Sequence, residues 1–325
     1  MSMRIQFSRH GGPEVLEYCA YQPAALGADE VLVKNQAIGL NFIDIYYRSG
    51  LYAPPALPSG LGTEGAGVVE AIGSEVKDFT VGQRVAYATA PLGAYSERHI
   101  VAEDKLVKLP DSISFEHAAA IMLKGLTVHY LLRQTYPVKA GQTILWHAAA
   151  GGVGLIACQW AKALDVKLIG TVSSAEKAQS AKAAGAWEII DYSRENVAAR
   201  VLELTNGAQC PVVYDSVGKD TWETSLNCLA PRGLLVSFGN ASGAVEGINL
   251  GTLAQKGSLY VTRPTLFHYA NNAENLRTMA AELFELIASG QIKAAIGARY
   301  PLSQAAQAHE ELAERRTQGS SILFP

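Results

Sequence analysis

Four cysteines in 325 residues (Cys19, Cys158, Cys210 and Cys228) stand far apart and include no C-x-x-C pair. That spacing excludes a zinc ribbon and a disulfide scaffold. No apolar run approaches the roughly 18 residues of a membrane span. Lysine and arginine gather into no tract, and the formal net charge is −3, so nucleic acid is not expected as the main partner. The seven histidines include no pair at i,i+3 or i,i+4, which removes the helical metal motifs. There is no internal repeat and no low-complexity tract. The opening Met1-Ser-Met-Arg-Ile-Gln-Phe7 reads as a first strand, not as a secretion signal, and with the missing disulfide pattern this favours the cytoplasm. What is present is ordinary for a soluble globular protein: 49% hydrophobic, 18% charged, and long enough for two cores.

The stretch Gly141-Gln-Thr-Ile-Leu-Trp-His-Ala-Ala-Ala-Gly-Gly-Val-Gly154 reads as a strand entering a glycine turn and then a helix, Leu155 to Leu164. Such a turn offers free backbone N–H groups and a positive helix end to a pyrophosphate. Ala149-Ala150-Gly151-Gly152-Val153-Gly154 matches G-x-G-x-x-G except that Ala149 replaces the first glycine. Gly151 lets the backbone approach the phosphates, and Gly154 lets the helix pack close to its strand. A purely structural turn fits these six residues too. The units that follow favour the nucleotide. Short apolar runs at Lys167–Val172, Trp187–Asp191, Pro211–Asp215, Gly233–Phe238 and Ser258–Thr262 alternate with helix-period segments. That alternation calls for an α/β fold, a Rossmann-type doubly wound parallel sheet of six strands counted from Thr143.

An NAD site commonly ends its second strand with an acid, about 20 residues past the glycine loop. Here the place reads Val172-Ser-Ser-Ala-Glu-Lys177. Two hydroxyls and a lysine suit a 2′-phosphate, which an acid would repel, so NADPH is favoured over NADH. The alternative is that Ser173 and Ser174 only cap the next helix and Lys177 is a solvated charge.

Residues 1–122 have another texture. Strand-like pieces (Glu30–Lys34, Gly67–Ile72, Gly82–Tyr87) lie between glycine and proline turns, as in a mostly antiparallel β-domain. The tail 267–325 holds helices at Ala273–Ala288 and Leu302–Glu314, and strands near Ile296–Tyr300 and at Ser321–Phe324. The last strand has no place in the six-strand sheet and is expected to return to the N-terminal domain. The β-rich domain is then discontinuous, 1–122 with 267–325, around a nucleotide-binding domain at 123–266. The reaction is expected in the interdomain cleft.

The order of these parts resembles the medium-chain dehydrogenase/reductase superfamily. Gly39-Leu-Asn-Phe-Ile-Asp-Ile-Tyr-Tyr-Arg-Ser-Gly-Leu-Tyr52, Gly60-Leu-Gly-Thr-Glu-Gly-Ala-Gly67 and Gly141-Gln-x-x-Leu-x-x-x-Ala-Ala-Gly-Gly-x-Gly-x-x-x-x-Gln159-x-x-Lys162 resemble its zinc-free NADPH:quinone oxidoreductases, the branch that includes ζ-crystallin. The likeness spans essentially the whole chain and is strongest to the bacterial members. It implies a GroES-like catalytic β-domain, NADPH as cofactor, a small-molecule quinone as substrate, and a homodimer. It also implies cofactor contacts from Phe42, Ile43, Asp44, Tyr130, Gly151, Gly152, Val153, Gly154, Ser173, Ser174, Lys177, Tyr192, Ser216, Phe238, Gly239 and Arg315. Lys177, Tyr192 and Arg315 are the expected partners of the 2′-phosphate. Only the Arg-x-Thr-Gln-Gly-Ser-Ser pattern separates Arg315 from its neighbour Arg316.

Zinc-dependent members of the superfamily place a cysteine and a histidine where this chain has Asn41 and Thr63, followed by Glu64. Neither is a good zinc ligand. A simple ketone gains from a Lewis acid, whereas a quinone needs less help because its reduced form is aromatic. Catalysis is then mostly positioning. The quinone is expected against the nicotinamide, beside Asn41, Tyr46 and Tyr52, where tyrosine gives a flat face and a hydroxyl. Tyr47 reads as helix packing. Asp44 either accepts from the cofactor or caps a local turn. Lys124 and Thr127 either bond the nicotinamide or quinone, or are solvated at a helix start. His147 reads as a satisfied core residue. NADPH-dependent reduction of an alkenal or enone C=C bond is the alternative activity. A ζ-crystallin-like single-stranded RNA-binding or structural role is the non-enzymatic one, disfavoured by the missing basic stripe.

Overall fold

A computed structural model describes residues 1–314 and 316–325. Two compact units are present: Met1–Leu126 with Tyr269–Pro325, and Thr127–His268. The division falls inside the helix Phe115–Tyr130.

In Thr127–His268 six strands pair in the order Glu188–Asp191, Lys167–Val172, Thr143–Trp146, Cys210–Asp215, Leu229–Ser237, Tyr260–Thr262. Every pairing is parallel. The central strands are apolar without alternation because both faces of a parallel sheet are covered. Leu145, Ile169, Ile190, Val213 and Leu235 are all fully buried in one cluster. Each such side chain contributes about 1.5–3 kcal/mol on leaving water. Chain order reverses between Thr143–Trp146 and Cys210–Asp215, the point beyond whose carboxyl ends ligands bind in such sheets. The glycine turn leaves the sheet there.

The other unit holds a three-stranded sheet, Glu17–Tyr21, Ser2–Phe7, Ser59–Gly60, and a larger one. The larger runs Ile296–Pro301, Ser320–Phe324, Glu30–Leu40, Gly65–Ile72, Arg84–Tyr87, Val107–Lys108, with Arg98–Ala102 also on Glu30–Leu40. Its pairings are antiparallel except that between Ile296–Pro301 and Ser320–Phe324. The final strand therefore returns to the N-terminal part of the chain, with Leu323 opposite Ile38. Glu30–Leu40 is longer than its sequence pattern suggests. It alternates through Val31, Val33, Asn35 and Ala37, and the period ends where Ala37 to Leu40 are all buried.

Candidate active site

The glycine turn is built from close backbone contacts. Ala148 takes the left-handed conformation at φ 55°, the Ala149 N–H donates to Thr171 O at 3.0 Å, and the Gly151 N–H donates to Ala148 O at 3.0 Å. The helix that follows is Gly152–Ala163, starting three residues before the expected Leu155, with Gly151 as its N-cap. No side chain caps it, so the N–H groups of its first turn remain for a ligand. A Cβ on Gly154 would collide with the carbonyl oxygens of Ala148 and Ala149, whereas one on Gly151 would meet only Ala148 O, at 3.3 Å. Gly154 is thus glycine for packing, whereas Gly151 is held by only one close contact.

Two serines share the end of the second strand. Ser174 is the N-cap of the helix Ala175–Ala183 and accepts from the Lys177 N–H at 3.3 Å. Ser173 instead accepts from the Lys177 ammonium, also at 3.3 Å. The two sequence readings therefore divide between neighbours: Ser174 caps, while Ser173 and Lys177 form a polar pair. Tyr192, exposed, donates its N–H to Val172 O at 3.0 Å, which brings it beside that pair. Arg315 lies outside the described residues.

Ser216 and Gly239 meet at the carboxyl ends of the next two strands. A Cβ on Gly239 would stand 2.9 Å from Ser216 Cα, and the Phe238 N–H donates to Asp215 O at 2.8 Å. Beneath them is a buried network that sequence reading missed. Asp215 Oδ1 accepts from the N–H groups of Val217 and Gly218, and Oδ2 from Ser225 Oγ at 2.7 Å. Ser225 Oγ and Thr171 Oγ1 each lie 3.0 Å from one ring nitrogen of His147. Burial pushes the His147 pKa down, so the ring is neutral and both nitrogens serve the fold. Tyr130 is buried at the end of its helix.

In the β-rich unit the short helix Phe42–Ser49 follows Asn41. Asp44 accepts from the Asn41 N–H at 2.8 Å, and so fixes the helix start. Tyr95 also donates its hydroxyl to Asp44, at 2.9 Å. With the tyrosine proton committed there, His309 Nε2, 3.1 Å from the same oxygen, must be the donor to it. Asp44 is fully buried, and that burial pushes its carboxyl up to about 7. Its side chain is thus placed in the cap. Phe42 and Ile43 are partly exposed on the first turn of the helix. Tyr46 and Tyr52 meet edge to face at 5.3 Å, and Tyr47, 5.9 Å from Tyr52, also packs on the apolar core of its unit.

The Asn41 amide donates to Glu64 Oε2 at 2.7 Å. Lys124 lies within the helix Phe115–Tyr130, not at its start, and is buried. Its ammonium donates to Leu40 O at 3.3 Å and faces Glu64 Oε2 at 3.7 Å. Helix-start solvation does not describe it. Thr127, three residues on, is partly exposed. Glu64, read from sequence only as the residue after Thr63, is the centre of this cluster. The signal for it was a lone charge inside the glycine-rich run Gly60 to Gly67. Among the described residues no three of His, Cys, Asp or Glu gather into a metal-holding group.

Residues 27–111 match the alcohol dehydrogenase GroES-like domain family, and residues 152–285 match the zinc-binding dehydrogenase family. The chain is 71% identical to the quinone oxidoreductase of Pseudomonas aeruginosa, with 100% of each chain covered. It matches the crystal structure of Escherichia coli quinone oxidoreductase complexed with NADPH with a TM-score of 0.98 at 60% identity, covering 99% of this chain and 100% of that one. A 2-haloacrylate reductase from a Burkholderia species is 41% identical over 100% of this chain and 99% of its own.

Proposed function

The chain belongs to the quinone oxidoreductase family of the medium-chain dehydrogenases/reductases, and we propose that it reduces quinones with NADPH and without a metal. NADPH-dependent oxidoreduction follows from that membership. The preference for NADPH is supported by the Lys177–Ser173 pair, which offers an ammonium and a hydroxyl where an NAD site has an acid, and the metal-free reading above all by the Asn41 amide, which donates to Glu64.

The residues present fit the nucleotide. The uncapped first turn of Gly152–Ala163, with Gly151, Gly152 and Val153, holds the pyrophosphate. Ser173, Lys177 and Tyr192 hold the 2′-phosphate, while Ser216, Phe238 and Gly239 contribute at neighbouring strand ends. Bound NADPH supplies the hydride. One ring of the edge-to-face pair Tyr46 and Tyr52 gives the acceptor a flat apolar face, and Asn41 and Lys124 bond its oxygens. Phe42 and Ile43 shape the same wall. Asp44 serves by holding Asn41 in place.

A metal fits Asn41 and Thr63 poorly. The Asn41 amide turns a donor, not a lone pair, into the cluster, and Thr63 offers a neutral hydroxyl. Such a site favours acceptors that are already electron-poor.

A homodimer is part of the proposal. The outer strand Tyr260–Thr262 of the parallel sheet leaves Tyr260 and Val261 exposed, an edge that another chain can cover. Sedimentation at micromolar concentration tests it, and a monomer there rejects it. No helix among the described residues is long and apolar enough to cross a membrane.

The relation to a 2-haloacrylate reductase keeps reduction of an activated C=C bond as a second reading. Turnover of 1,4-benzoquinone is compared with that of a small enone, NADPH saturating. A higher kcat/KM on benzoquinone is expected. Enone turnover with an inert quinone would transfer the assignment to the second reading.

A further inference from the structure

We propose that Glu64 is a positioning residue for the acceptor, holding the Asn41 amide and the Lys124 ammonium in fixed relation to each other. The inference rests on the reading that Asn41 and Lys124 bond the acceptor, and it holds for a quinone or an alkene alike.

Glu64 is fully buried and reaches two separate elements. Oε2 accepts from the Asn41 amide at 2.7 Å and faces the Lys124 ammonium at 3.7 Å. Oε1 accepts from the Leu123 backbone N–H at 2.6 Å. Both oxygens meet N–H donors, which suits the ionised carboxylate, an acceptor at every lone pair. Burial holds its pKa above the usual carboxylate value, and Lys124 with the Asn41 and Leu123 donors offsets part of that rise.

Room for this carboxylate is made by Gly39. A Cβ there would collide with Glu64 Oε2 and would stand 2.5 Å from Ala119 O. The strand Glu30–Leu40 thus gives up a side chain at the place where Glu64 approaches the helix Phe115–Tyr130.

Stability does not explain the arrangement. A buried ion pair is often matched or bettered by apolar residues of the same volume. Thr63, beside Glu64, adds a buried hydroxyl without a partner among the described residues. Polar groups are therefore concentrated next to the candidate acceptor contacts. A fixed ammonium is of use where negative charge develops on an acceptor oxygen, because a pre-oriented charge needs no reorganisation during the reaction. Glu64 supplies that orientation by holding Lys124 and Asn41 from a fully buried position.

The test is a double-mutant cycle with Glu64→Gln and Lys124→Met, read as kcat/KM for benzoquinone, with NADPH affinity followed by nucleotide fluorescence. Gln keeps the volume but sets an N–H against one of the two backbone or amide donors and removes the counter-charge. Each single variant is expected to lose about tenfold or more in kcat/KM while NADPH affinity stays within about twofold. The double variant is expected within about twofold of the worse single one, since the two residues act as a unit. Losses that multiply, or a folded Glu64→Gln protein with wild-type kcat/KM, overturn the proposal. If Glu64→Gln does not fold, Glu64→Asp, which shortens the reach and keeps the charge, takes its place in the same cycle under the same criteria. If the wild type reduces an enone and not a quinone, the substrate reading fails, and the cycle run on the enone still decides the role of Glu64.

Discussion

The Lys177 ammonium donates to the Ser173 hydroxyl at 3.3 Å, one turn into the helix that follows the second strand of the parallel sheet. Both follow the carboxyl end of that strand at Val172, where the proposed reading puts the ribose 2′-phosphate. Lys177→Ala should raise the KM for NADPH about tenfold and leave that for NADH almost unchanged, the size of one charge-assisted hydrogen bond. Steady-state kinetics with the two cofactors measure this. An equal change in both would remove the phosphate from the role of Lys177.

Gly151 and Gly154 should separate binding from packing. At Gly151, φ is −74° and a Cβ meets only Ala148 O, at 3.3 Å, so Gly151→Ala should lower the Tm less than Gly154→Ala does. The added methyl stands at the helix end proposed to take the pyrophosphate, so the KM for NADPH should rise at least about fivefold. Gly154→Ala drives a methyl into two backbone carbonyls and should cost about 1–3 kcal/mol, visible as a lowered Tm without cofactor. The reverse ranking of the two melting temperatures would contradict this division.

Asp44 should leave a signature in stability against pH. Burial raises its pKa from 3.8 to about 7 in the folded chain. Between those values the folded protein keeps a proton that the unfolded chain releases. The stability from this group is complete below the lower value and is lost as pH rises through the upper one. His309 works in the opposite sense. Burial lowers it from 6.5 to about 3, so its contribution is present above the first value and lost as pH falls through the second. Comparison of wild type with Asp44→Asn isolates the aspartate. The wild-type Tm minus the variant Tm should fall steadily from about pH 4 to about pH 7. A flat difference would mean that Asp44 titrates normally.

Zinc should not copurify. Asn41 and Thr63 offer an amide already bonded to Glu64 and a neutral hydroxyl, so elemental analysis should find far less than one zinc per chain. Treatment with EDTA should leave quinone turnover unchanged. A tightly held stoichiometric metal would contradict the donor-set argument.

The parallel sheet was legible in the sequence because its central strands are buried on both faces and read as unbroken apolar runs. The cluster around Glu64 was not. Its members are separated by 23 positions between Asn41 and Glu64 and by a further 60 to Lys124, and no local period links them. Asp44, balanced in the sequence between capping and ligand contact, is placed by Tyr95 and His309, the second lying 214 positions from the first. Neither partner carries a motif. The second half of Glu30–Leu40 was hidden because polar Asn35 takes a buried place and Ala37 to Leu40 are all buried, which removes the polar–apolar alternation by which such a strand is recognised.

Ser320–Phe324 lies between Ile296–Pro301 and Glu30–Leu40 in its sheet. During synthesis, Glu30–Leu40 must therefore wait for almost the whole chain before one of its neighbours exists. Thr127–His268 is contiguous and can mature earlier, as it leaves the ribosome. Until translation reaches Ser320 the waiting edge is exposed to other nascent chains. A chain that stops short of Ser320 should thus keep the contiguous unit whole while leaving Ile38 to Leu40 without the strand that pairs with them.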